Sequence, residues 1–124
     1  MSEPSSPQER GRAAEALARR HLEQQGLRLL AQNWLCRRGE LDLIMLDGDT
    51  VVFVEVRYRR SATWGGALES IDARKQAKLI LAARYFLQKE SRWAQHLCRF
   101  DVVAISPDNT STLQLDWIQN AFDT

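Results

Sequence analysis

Two cysteines, two histidines and three prolines in 124 residues leave little material for several kinds of protein. Two thiols cannot build the disulfide framework of a small secreted domain, and with His21 and His96 they fall into no four-ligand zinc pattern. Cys36 and Cys98 lie in apolar-flanked stretches and are expected to be buried, reduced and without function. No apolar run approaches the roughly 20 residues that a membrane-spanning helix needs. Met1 to Pro7 is small and polar, with no apolar core behind a basic start, so it does not resemble a secretory signal. These absences predict a cytoplasmic protein with no membrane partner. Repeats and low-complexity linkers are also missing, and the length suits one core, so a single domain is expected over 1–124, with 1–6 flexible and 107–124 a C-terminal extension.

What is present is the composition of a folded chain: 44% hydrophobic and 27% charged residues argue against wholesale disorder. The net charge of +1 conceals an uneven distribution. Residues 1–56 hold seven basic side chains against nine acidic, 57–99 hold ten against three, and 100–124 hold none against four. A basic middle offers phosphates a docking surface, because clustered Lys and Arg release counterions from a nucleic acid backbone. The plainer alternative is a solvated helix face.

Ser6, Pro7 and Glu9 predict a helix start with a capping box, and Gly26 its stop. Ala14, Leu17, Ala18, His21 and Leu22 form its core-facing stripe, with Glu15 at the border. Leu27 to Leu30 reads as a short first strand, followed by Trp34 and a turn at Arg37, Arg38 and Gly39. Glu40 to Leu46 and Thr50 to Tyr58 read as antiparallel strands around the hairpin signal Asp47-Gly48-Asp49. Ser61 to Gly66 is expected to be a mobile loop, leading to a helix from about Asp72 to Lys89 that buries Leu79, Ala82, Ala83, Phe86 and Leu87. Phe100 to Ile105 and a strand carrying Leu113, Leu115 and Trp117 complete the order α-β-β-β-α-β-β.

The hairpin turn decides which carboxylates meet. A two-residue turn at Gly48-Asp49 sets Asp42 across from Glu55 and Glu40 across from Arg57. A turn at Asp47-Gly48 sets Glu40 across from Glu55 with all four groups still on one face, and a three-residue turn separates them. Carboxylates facing each other across a sheet repel unless something positive lies between them, and hard oxygen ligands suit magnesium or manganese. These groups could instead decorate a wet sheet face. Against that, Val51 and Phe53 share the face of Glu55, which places the carboxylate where solvent is scarce.

Gly39-Glu-Leu-Asp-Leu-Ile44, Val52-Phe-Val-Glu-Val-Arg57 and Arg99-Phe-Asp-Val-Val103, with Glu15 in the first helix, together resemble the YraN family of small uncharacterised bacterial proteins. The likeness runs from about Gly11 to Ile105 and includes the Trp64-Gly65-Gly66 loop and the Lys75-centred start of the second helix. That family is in turn similar to the restriction-endonuclease-like superfamily and the archaeal Holliday junction resolvases, whose motif is Asp, a spacer, then Glu-x-Lys. The resemblance implies an α/β fold with a restriction-endonuclease-like αβββαβ core, a mixed central sheet flanked by helices, and an extra C-terminal strand. It implies metal-dependent cleavage of DNA phosphodiester bonds with Mg or Mn held by Asp42, Glu55 and the carbonyl of Val56. Glu15 matches the helix carboxylate of resolvases, and Glu40 is an additional acid. Arg57 stands where the motif has lysine. Its pKa above roughly 12 rules it out as a general base at neutral pH, while its planar fork binds phosphate well.

Arg57, Arg59, Arg60, Arg74, Lys75 and Lys78 surround the expected loop and helix start, where a phosphate backbone would approach the carboxylates, and Trp64 could stack on an unpaired base. Two other functions compete. One is a non-catalytic nucleic-acid-binding domain with a degraded nuclease site. The other is a protein-interaction module, a homodimer among the forms it could take, that uses Trp34, Trp64 and the basic helix.

Overall fold

A computed structural model describes residues 6–59, 71–107 and 112–122. The element order is α1 (Pro7–Gln24), β1 (Arg28–Cys36), β2 (Gly39–Asp47), β3 (Thr50–Tyr58), α2 (Ala73–Lys89), a short 3-10 turn (Ser91–Trp93), β4 (Cys98–Pro107) and β5 (Leu113–Phe122). The α-β-β-β-α-β-β order read from the sequence holds. Both helix starts follow from local chemistry: Ser6 accepts from the Glu9 N–H and Asp72 from the Lys75 N–H, each satisfying a donor that the first turn leaves free.

The five strands form one mixed sheet in chain order. β1–β2, β2–β3 and β4–β5 are antiparallel, whereas β3 and β4 run parallel and are joined through α2, because parallel neighbours need a long crossover. Each face is covered by one helix. On one side Ala14, Ala18 and Leu22 of α1 pack on Leu43, Met45, Val52, Val54, Val103 and Ile105. On the other, Leu79, Ala82, Ala83 and Phe86 of α2 pack on Ile44, Leu46, Val51, Phe53, Phe100 and Val102. A strand buried on both faces reads as a continuous apolar run, as Val51 to Val54 does.

Two expectations need correction. The first strand is not the short Leu27–Leu30 segment but nine residues, Arg28–Cys36, paired with β2 to its end. A register shift between Leu29 and Ala31 and a positive φ of 51° at Asn33 interrupt its alternation, so the sequence pattern hides it. The cysteines are unpaired but not buried: Cys36 is half-buried at the tip of the edge strand, and Cys98 is exposed where β4 begins. Trp34 is half-buried and meets Phe86 edge-on at 5.5 Å, packed against the core beneath α2.

Candidate active site

The β2–β3 hairpin adopts the register set by a two-residue turn at Gly48-Asp49, with Asp47 opposite Thr50 and φ of 61° at Gly48. The regular ladder ends at Leu43 opposite Val54. The alternation of antiparallel bonding would next bring Leu41 to Val56. Instead the Val56 N–H donates to Asp42 Oδ2 at 2.9 Å. Leu41 and Leu43, two residues apart, pack into the cores on opposite faces of the sheet, so β2 turns over between them. The Asp42 carboxylate therefore replaces a ladder partner where the strands part, and it stands between two groups of charges.

On the α2 side is Glu55, 5% exposed, continuing the face of Val51 and Phe53. Its Oε2 lies 3.1 Å from Arg57 Nη2 and 3.4 Å from Lys75 Nζ. The Arg57 Nε is buried and has no hydrogen-bond partner among the described residues. On the α1 side, Glu15 and Glu40 join Asp42, with carboxylate oxygens all within 4.8 Å of one another. Glu40 therefore does not face Arg57 as expected. It stands opposite Leu35 in the β1–β2 ladder and turns toward α1. The change of face in β2 divides the three strand acids, Glu40, Asp42 and Glu55, that simple alternation would put on one side.

The charges act on one another. Asp42 is pushed up to about 7 by burial, by the Glu55 charge and by the hydrogen bond the two carboxyls share, against the pull of the Val56 N–H and Lys75. Glu15 is also raised, by burial and then by Asp42 and Glu40, while Asn33 and Arg12 oppose the shift. An all-oxygen, carboxylate-rich set suits a hard divalent cation, Mg or Mn; Glu15, Glu40 and Asp42 are the side chains whose oxygens converge as such a set, and Glu55 adjoins Asp42 from the α2 side. Val56 enters through its N–H, which fixes Asp42.

Lys75 is an ion-pair partner of the buried Glu55. One sequence signal marked it: it lies in the first turn of α2, which holds no acidic residue, although cations are disfavoured at that end of the helix dipole. Arg74 and Lys78 are exposed one turn apart on α2, and Arg59 is exposed after β3 with its N–H bonded to Ile105 O at 2.8 Å. Arg60, Trp64 and the Ser61–Gly66 loop lie outside the described residues. Asp101 of the third motif is elsewhere, fully buried at the β4–β5 junction.

The family model for UPF0102, an uncharacterised protein family, matches residues 14–105, a span that holds every charged group of the site. A UPF0102 protein of Ectopseudomonas mendocina is 68% identical over 119 residues, covering 96% of this chain and 98% of the relative. One from Pseudomonas aeruginosa is 64% identical over 124 residues, covering 99% of each. One from Stutzerimonas stutzeri is 65% identical over 120 residues, covering 97% of this chain and 99% of the relative.

Proposed function

The chain belongs to the UPF0102 family, the YraN-like family its motifs resemble, and we propose that it is a metal-dependent nuclease acting on DNA phosphodiester bonds. The carrying observation is the buried Glu55 held by Lys75 and Arg57 beside an Asp42 that burial, and then the Glu55 charge, push up to about 7. The α-β-β-β-α-β order supports a restriction-endonuclease-like core.

When bound, a Mg or Mn ion would polarise the phosphoryl group and acidify water. Asp42 and Glu55, with Glu15 and Glu40 beside Asp42, would hold that ion. The carbonyl of Val56 completes the set implied by the motif. The Arg57 guanidinium steadies phosphoryl oxygens through its planar fork but cannot take up a proton. Lys75 adds a second cation: its ammonium reaches Glu55 from α2 and helps to steady negative charge at the site. Arg74 and Lys78 on α2, with Arg59 after β3, offer a basic flank along which the DNA backbone would lie.

Arg57 in place of lysine favours a second reading, a nucleic-acid-binding domain without cleavage. Single-turnover assays with Mn²⁺ on branched, flapped and single-stranded DNA, and on RNA, separate the two. The nuclease reading expects cleavage of at least one DNA, slowed roughly 100-fold or more by Asp42→Asn and by Lys75→Met. Salt-sensitive binding to DNA with no cleavage of any substrate would establish the binding domain instead.

A further inference from the structure

Helix α2 runs aslant the sheet. Lys75 near its start meets Glu55 of β3, whereas Phe86 near its end meets Trp34 of the edge strand β1. Between the end of the helix and the end of β1 lies an open groove of about 420 Å³, within the roughly 300 to 1,000 Å³ typical of ligand sites. Trp34, Leu35 and Arg37 form one wall, and Tyr85, Gln88 and Lys89 the other. The lining thus carries two cations and no carboxylate. Leu35 and Tyr85, 71% and 38% exposed, leave apolar surface uncovered on both walls.

The groove is continuous with the acidic site by two routes. Trp34 and Leu35 pair with Leu41 and Glu40, so one wall belongs to the strand beside the one that carries Glu40 and Asp42. On α2, Arg74, Lys78, Tyr85 and Lys89 are all exposed. Their spacing keeps them within about 60° of one another around the helix axis. This face starts beside Lys75, the partner of Glu55, and reaches the groove about 22 Å further on, at 1.5 Å per residue.

An occupant of this groove must be an anion with a flat apolar face. A nucleotide has that chemistry: an aromatic ring stacks on its base, and cations meet the phosphates on either side. A base inside a duplex has both faces covered by its neighbours, so only an unpaired base can enter. We infer that the groove holds an unpaired nucleotide of a DNA strand, its base on Tyr85 and its phosphates at Arg37 and Lys89, and that the substrate class is therefore DNA with a single-stranded segment running along α2 from the acidic site. The inference rests on the DNA-directed reading above and narrows its substrate.

Fluorescence anisotropy with a labelled oligothymidylate and with a blunt duplex tests it, in EDTA so that no cleavage intervenes. The proteins are wild type, Tyr85→Ala, Tyr85→Phe and the double variant Arg37→Ala, Lys89→Ala, all changed at exposed positions. Wild type should bind the oligothymidylate more tightly than the duplex. Tyr85→Ala should weaken oligothymidylate binding about tenfold and leave duplex binding unchanged, while Tyr85→Phe, which keeps the ring, should match wild type. The double variant should lower the slope of log affinity against log salt for the oligothymidylate by about 1.4, roughly 0.7 per phosphate contact. Wild-type oligothymidylate affinity in Tyr85→Ala would overturn the assignment of the groove, and the DNA reading would stand if Arg74→Ala, Lys78→Ala still weakened binding. No binding of either DNA by wild type would remove both. Self-association lost in Tyr85→Ala, read by sedimentation with oligothymidylate binding intact, would give the groove to a second copy of the chain instead.

Discussion

Asp42 keeps its proton near neutrality because burial, and then the neighbouring Glu55 carboxylate, disfavour its charged form. An unfolded aspartate titrates at about 3.9. The folded value of about 7 lies above this, so folding takes up a proton between the two. The stability this group contributes is complete below about pH 4 and is lost as pH rises through 7. Urea unfolding of the metal-free protein should therefore show the Asp42→Asn variant gaining on wild type from pH 5 to pH 8, by on the order of 2 kcal/mol. Asparagine can still accept from Val56 and donate to Glu55. Parallel pH profiles for the two proteins would show that Asp42 ionises normally. Arg57→Lys removes a buried Nε that has no partner among the described residues. It should leave the midpoint within about 1 kcal/mol of wild type and raise the cleavage rate where cleavage is seen. At this scale the sequence revealed Asp42 and Glu55, through a turn that fixed their register. The part played by Lys75 was not legible in it, because its ion pair with Glu55 depends on how α2 lies across the sheet.

Among the elements, β4 and β5 are fastened by Asp101, 1% exposed. Its carboxylate accepts from Arg99 Nε at 3.0 Å, Trp117 Nε1 at 2.9 Å and the Asn120 N–H at 2.9 Å, and Arg99 reaches on to Asp47 at 3.0 Å. The Arg99-Phe-Asp-Val-Val103 motif is thus accounted for as a clamp on the sheet. Asp101→Ala should cost about 3 to 5 kcal/mol, since it leaves a largely buried arginine and two further donors without their acceptor. The loss should be visible in chemical unfolding followed by tryptophan emission. At a temperature where the variant is still folded, its Mn²⁺ affinity should equal that of wild type. The two helices and the β2–β3 hairpin were legible because caps, apolar stripes and a glycine turn are local signals. The length of β1 was not, since a register shift and a left-handed residue break the period of two that identifies strands. Nor could alternation alone show the change of face between Leu41 and Leu43, which divides Glu40 from Glu55.

For the whole molecule, the α/β architecture of one mixed sheet and two helices followed from the order of elements, while the placement of charge came from the packing. No helix among the described residues is long and apolar enough to cross a membrane. The excess of basic residues in 57–99 gathers in part at α2, where Arg74 and Lys78 are exposed beside the acidic site. DNA affinity should fall with added salt, and the double variant Arg74→Ala, Lys78→Ala should reduce the slope of log affinity against log salt by about 2, roughly one per phosphate contact. An unchanged slope would place the DNA elsewhere. The central claim is that Asp42 and Glu55 act together on one divalent ion, and Mn²⁺ calorimetry on wild type, Asp42→Asn and Glu55→Gln, with a non-cleavable DNA present, tests it most directly. The account predicts saturable binding by wild type that each substitution weakens at least tenfold. Equal binding by all three proteins, or none by wild type, would contradict it.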